Sequence, residues 1–162
     1  MMKQLILLYI FFLFGYILFA QEKIALYDPK AFPEKDLAKI SEQAKKENKH
    51  ILILAGGNWC ARCLTFEEFC KANNEIDSIM KSDYLLYHLN YSEENANKLI
   101  FAKFGYPQRF GFPVLLILNE KGERIHTQES EYLEQGMGYS KRRVYEFLMA
   151  WNRKSVQPEQ YK

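Results

Sequence analysis

Residues 50–64 read His-Ile-Leu-Ile-Leu-Ala-Gly-Gly-Asn-Trp-Cys-Ala-Arg-Cys-Leu, and this stretch decides the fold. His50–Ala55 is a short apolar run, too short for a helix between its flanks, and it reads as a buried strand. Gly56-Gly57-Asn58 break it. A helix is expected to begin near Cys60 and to run to about Cys70. Two residues between Cys60 and Cys63 let the two sulfurs meet across its first turn. Cys60 then sits at the helix N-terminus, where unsatisfied N–H groups and the macrodipole favour a thiolate. The thiolate is the attacking species in disulfide exchange, so that position prepares Cys60 for attack. Cys63, deeper in the helix, is suited to resolve the mixed disulfide. Arg62 adds a positive charge that should favour thiolate further.

Outward from this stretch, helix and strand patterns alternate. Pro33–Asn48 is expected to be a helix, with proline in its first turn and Leu37, Ile40 and Ala44 at helical spacing. Asn73-Asn74 interrupt the cysteine-bearing helix before a further turn to Lys81. Tyr84–Asn90 is a second strand, and Ser92–Phe104 a helix with Ser92 as N-cap. Gly105–Phe112 is a loop. Pro113–Leu118 and Glu123–Gln128 are strands joined by the turn Asn119–Gly122. Ser140 to about Arg153 is the last helix, and the polar tail from Lys154 is expected to fray. The fold class is α/β: a central four-stranded mixed sheet with helices on both faces. The strands separated by helices should be parallel, and the terminal hairpin should add one antiparallel strand.

The segment Ile51–Cys63 resembles thioredoxins in its order of apolar strand, short loop, Trp-Cys-x-x-Cys and helix. The likeness continues through Leu89-Asn90, Phe104-Gly105, Gly111-Phe112-Pro113-Val114-Leu115-Leu116, the hairpin Asn119–Glu123 and the closing Gly136–Leu148. It covers roughly residues 33–153. The resemblance implies thiol–disulfide exchange with protein cysteines through Cys60 and Cys63. It also implies a cis proline at Pro113 facing the pair, with the Phe112 backbone open to an extended substrate. Trp59 would offer an exposed flat contact beside the sulfur. No cofactor is implied, but a redox partner must reset the pair. The sequence departs from the family where many thioredoxins carry a buried aspartate, a position Leu54 occupies here, and where its partner lysine is matched by His88. The Ala-Arg dipeptide between the cysteines matches neither reducing nor oxidising relatives. The loop Tyr106–Phe110 is longer than usual by about two residues, and it is expected to lie beside the cysteines and shape substrate choice.

Read without the resemblance, the pair leaves alternatives open. One is a non-catalytic binding or chaperone module with a static disulfide. Another is a metal site, although zinc wants four ligands and only Cys70, His50, His88 and His126 remain, at no recognised spacing. Cys70 reads as a small core residue. Phe66 and Phe69 also read as core. The chain of 162 residues, 48% hydrophobic with a net charge of +2, excludes disorder and gives no electrostatic case for nucleic acid. Lys141-Arg142-Arg143 reads as a solvated helix face.

Residues 1–20 read as a secretory signal peptide. Lys3 is their only charge, Leu5–Ala20 is apolar but for Gly15, and cleavage after Ala20 would expose Gln21. Leu18 is larger than such sites favour, and an uncleaved membrane anchor is the alternative. Either reading leaves residues 21–162 as one exported domain. The bacterial periplasm suits such a chain, because disulfides persist there.

Overall fold

The computed structural model describes residues 25–162, so the expected signal at residues 1–20 lies outside the described residues. Ala25–Phe32 crosses the surface as a lead-in that turns at Asp28-Pro29, where the Lys30 and Ala31 amides bond back to Asp28. Helix α1, Pro33–Glu47, follows, with proline in its first turn and Glu34 and Asp36 near its positive end. Asn48, in the left-handed conformation, closes it.

Strand β1, His50–Gly56, is buried along its whole length. It lies between β2, Tyr84–Asn90, and β3, Val114–Leu118, while β4, Arg124–Glu129, completes the order β2-β1-β3-β4. Burial on both faces explains why β1 reads as a continuous apolar run and not as an alternating one. Ile51, Ile53, Val114 and Leu116 pack on Leu37 and Ala44 of α1 and on Ile100 and Phe101. On the opposite face, Leu52, Leu54, Leu115 and Ile117 meet α2 (Ala61–Ala72), α3 (Asn74–Asp83) and α5 (Lys141–Trp151). Phe66 and Cys70 lie in that second core, and Phe69 packs partly buried against it. Ser140 caps α5 through its hydroxyl, which accepts from the Arg143 amide. A two-residue hairpin, β5 Glu134–Gln135 with β6 Gly138–Tyr139, precedes that cap.

Two expectations are corrected. The expected helix over 92–104 is only Lys98–Lys103 (α4). The residues before it form a loop in which amide side chains take the backbone's partners. Asn90 Nδ2 donates to Ser92 Oγ and to the Asn95 carbonyl, and Asn97 Nδ2 donates to the Asn90 carbonyl. Such local bonding competes with helix formation. The second correction concerns the sheet. Strand β3 runs antiparallel to β1, with Val114 opposite Ala55, where a parallel strand was expected. Strand β2 ends beside Gly56. The chain leaves β2 and re-enters at β3 at the same end of the sheet, beside Ala55 and Gly56.

His50 is buried at the start of β1, and its Nδ1 lies 2.8 Å from the Trp151 carbonyl. A carbonyl only accepts, so Nδ1 carries the hydrogen. Burial lowers the His50 pKa, more than the carbonyl bond raises it. His126 stacks on Trp151 at 4.0 Å, and its pKa is likewise lowered by desolvation. Below the unfolded value of about 6.5 the unfolded chain binds protons that the folded chain refuses, so stability falls with pH there. The urea midpoint should therefore decline from pH 7 to pH 5, with a limiting slope of about 1.4 kcal/mol per pH unit for each proton. His50→Gln should flatten that slope. A variant whose pH profile parallels the wild type would show that His50 is not the cause.

Candidate functional site

The end of β1 delivers the chain into a tight turn. The Cys60 amide bonds to the Gly57 carbonyl at 2.9 Å, and Cys60 becomes the N-cap residue of α2. Its sulfur accepts a hydrogen bond from the Cys63 amide at 3.2 Å, one of the N–H groups that a helix start leaves free. Cys60 and Cys63 are disulfide-bonded, with Cα atoms 5.3 Å apart. Cys60 keeps a small exposed edge (6%), whereas Cys63 is closed off (1%). Both residues are buried, and Cys60 is the slightly more exposed of the two.

One wall of the site is aromatic. Trp59 is 60% exposed, yet its ring is fixed. Nε1 donates to the Tyr91 carbonyl at 2.6 Å, and the ring meets Phe112 edge-on at 5.7 Å. Phe112 also contacts Tyr91 at 5.0 Å and packs against the cysteine cluster. The Phe112–Pro113 peptide is cis, and Gly111 before it has φ 82°, a region open to glycine at little cost. Trp59 and Tyr91 also border a groove of about 680 Å3 that runs along Ser92–Ala96. The loop expected to shape substrate choice forms one turn of 3-10 helix, Pro107–Phe110, entered through Tyr106 at φ 59°. Arg109 lies over the Phe110 ring at 4.4 Å.

The other wall was not foreseen. Tyr27, fully buried, clusters with Cys60 and Cys63 and meets the His88 ring edge-on at 5.4 Å. Asn58 clamps it there: its Oδ1 accepts from the Tyr27 amide at 3.0 Å and its Nδ2 donates to the Tyr27 carbonyl at 2.7 Å. Glu67 lies four residues after Cys63 on the same face of α2 and is buried. Its carboxylate receives His88 Nε2 at 3.1 Å and Lys71 Nζ at 3.0 Å. Burial alone would raise the Glu67 pKa, but the bonds to His88 and Lys71 outweigh it and hold the carboxyl below its ordinary range. Leu54, in the place of the aspartate common in thioredoxins, is apolar core, paired across the sheet with His88. The buried acid of this chain comes instead from the helix. The spacing from Cys63 to Glu67 is the signal that would have revealed it. Tyr27 has no comparable local signal, because its anchor lies 31 residues away.

Arg62 faces outward. It ion-pairs with Glu134 of β5 at 2.5 Å, while the Tyr139 hydroxyl donates to the Arg62 carbonyl at 3.2 Å. The guanidinium charge is thus shared with a carboxylate, which reduces what it can add at Cys60. Cys70 is a free, buried thiol, and desolvation pushes its pKa up. Among the described residues no group of three or more His, Cys, Asp or Glu could hold a metal ion. Lys141 and Arg142 pair with Glu75 and Glu146, and Arg143 donates to the Tyr132 and Glu134 carbonyls, so this run is a bonded helix face.

Three solved structures share this arrangement of strands and helices. A disulphide isomerase from Xylella fastidiosa Temecula1 superposes with a TM-score of 0.66 at 20% identity, over 76% of this chain and 93% of its own. The C-terminal domain of Neisseria meningitidis DsbD, in the oxidised form, gives 0.52 at 13% identity, over 74% and 96%. A DsbH oxidoreductase gives 0.53 at 17% identity, over 70% and 79%. At these identities the likeness speaks for the fold. No curated protein matches the chain. The thioredoxin-like family model matches residues 33–120, more than half of the chain and the whole span from α1 through β3, and by that match the chain belongs to the thioredoxin-like family.

Proposed function

We propose that this protein is a thiol–disulfide oxidoreductase that exchanges electrons with protein cysteines through Cys60 and Cys63. The observation that carries the reading is the asymmetric disulfide at the start of α2. Cys60 is the more exposed of the two residues and caps the helix, and Cys63 is more deeply buried within the helix's first turn. A substrate thiolate attacks Cys60, and the electron pair of the broken S–S bond leaves on Cys63. A second substrate thiolate then attacks the mixed disulfide and releases the protein dithiol. In the reverse direction Cys60 attacks a substrate disulfide and Cys63 resolves it. The Cys63 N–H held on the Cys60 sulfur and the helix dipole favour the Cys60 thiolate, with Arg62 a lesser contributor because Glu134 shares its charge.

Trp59, Phe112 and Pro113 supply the contact surface. The fixed, exposed indole offers area at little entropic cost, and the backbone at Phe112 offers pairing for an extended peptide. Exchange of this kind needs no bound cofactor, but it needs a second thiol or disulfide protein to reset the pair. The likeness to a disulphide isomerase and to a DsbH oxidoreductase supports the reading. The domain proposed to carry it is residues 21–162, delivered to an exported, oxidising compartment such as the periplasm by residues 1–20. Among the described residues no helix is long and apolar enough to cross a membrane.

Cys63→Ser tests the order of attack. Mixed with a peptide disulfide, it should accumulate a stable adduct at Cys60, visible as an added mass that dithiothreitol removes. An adduct found on Cys70, or none at all, would contradict the proposed roles.

A further inference from the structure

Among the described residues, Tyr27 is the one buried side chain beside the disulfide whose polar atom goes unanswered. Its hydroxyl is sealed from solvent and, among the described residues, has no hydrogen-bond partner. A methyl group at Gly56 would lie 2.5 Å from Cys63 Sγ and 3.0 Å from Tyr27 Oη, so sulfur and hydroxyl face the same point of the β1 backbone. Asn58 holds Tyr27 there by both of its main-chain groups. An unanswered buried hydroxyl is costly, and a side chain pinned at such a cost invites a reason.

Resting on the exchange reading above, we propose that Tyr27 is a catalytic residue whose hydroxyl donates a hydrogen bond to Cys63 Sγ in the reduced protein. Reduction breaks the Cys60–Cys63 bond. Two electrons come from a partner dithiol, which closes its own disulfide, and its two protons pass to the freed sulfurs or to water. The Cys63 sulfur gains negative charge in a place water does not reach, since Cys63 is 1% exposed. A disulfide sulfur is a poor acceptor, whereas a thiolate is a good one. In the oxidised protein the hydroxyl makes no bond to the sulfur, and opening the disulfide frees the Cys63 side chain to turn toward it. Burial, with Glu67 and Tyr139 nearby, pushes the Tyr27 pKa up, so it stays a donor and does not compete for the charge. The groups that face it from the packed elements are Cys60, Cys63 and Glu67 from α2 and His88 from β2. The hydroxyl that is orphaned in the oxidised protein is therefore satisfied in the reduced one, and Tyr27 biases the pair toward reduction.

The test is Tyr27→Phe, which keeps the buried ring. The Cys60/Cys63 pair of wild type and variant is equilibrated in glutathione buffers and read by alkylation and mass. The disulfide of the variant should be favoured at least tenfold more than that of the wild type, a potential about 30 mV more negative. Thermal unfolding gives an independent reading. The variant should melt at or above the wild-type temperature when oxidised and below it when reduced. A purely structural tyrosine would lower both forms alike, and that result, or equilibria within twofold, overturns the inference. A wild-type pair that does not titrate overturns the exchange reading and this inference together. A wild type that titrates beside an unchanged variant overturns the inference alone.

Discussion

Cys60→Ser should lower the rate of disulfide exchange with a protein substrate by at least roughly 10³-fold, because a hydroxyl cannot replace the thiolate as nucleophile or leaving group. Cys63 cannot take over. It is buried beneath the first turn of α2, between Tyr27 and the strand end at Gly56. Cys70 cannot take over either, since it is buried in the core between α2, α3 and α5 and desolvation holds its thiol protonated. The measurement is the initial rate of oxidation of a reduced two-cysteine peptide, with circular dichroism to show that the variant keeps its fold. A variant that retains most of the rate would assign the chemistry elsewhere and favour the reading of the fold as a binding module.

Gly56→Ala should destabilise the oxidised protein by about 2–3 kcal/mol, the upper part of the range for an overpacked core. Gly56 ends β1 in an ordinary extended conformation, so backbone freedom is not the reason. Space is the reason. The added carbon would come within 2.5 Å of Cys63 Sγ and 3.0 Å of the Tyr27 hydroxyl, and neither can withdraw. The sulfur is tied to Cys60, and Tyr27 is tied to Asn58. The melting temperature should fall by about 5–10 °C for a domain of this size. Calorimetry of the oxidised variant checks it, and an unchanged transition would show that the strand end shifts freely beneath the disulfide.

Much of this molecule is legible in the sequence because its central elements are governed by local patterns. The apolar run His50–Ala55 reads as a strand, and in the structure Tyr84–Asn90 pairs with it along its length. The turn at Gly57–Trp59 and the helix after Cys60 follow from the glycine break and the cysteine spacing. What is not legible depends on competition or distance. The apolar residues from Leu99 to Phe104 suggest a long helix, but Asn90, Ser92, Asn95 and Asn97 satisfy one another first. The antiparallel β3 is a separate misreading: strands joined through a helix are ordinarily parallel, but here the chain re-enters the sheet at the end it left.

The site divides in the same way. The front, with Trp59, Cys60, Phe112 and Pro113, lies in segments whose sequence resembles a family. The back was invisible, because Tyr27 reaches the cysteines through a tertiary clamp to Asn58 and leaves no periodic trace. Glu67 was visible in principle, one helical turn beyond Cys63, but a glutamate on a helix is ordinarily a solvated one. Arg62 lies between: its place in the sequence suggests influence on the cysteines, and the structure shows that its charge is shared with Glu134.

The measurement that bears most directly on the central claim is a redox titration of the wild-type Cys60/Cys63 pair in graded glutathione or dithiothreitol buffers, read by thiol alkylation and mass. The account predicts a single reversible two-electron transition between about −270 and −120 mV, the span of exchanging pairs in this fold. A pair that stays oxidised under all but harsh reduction, or that never closes, would contradict it.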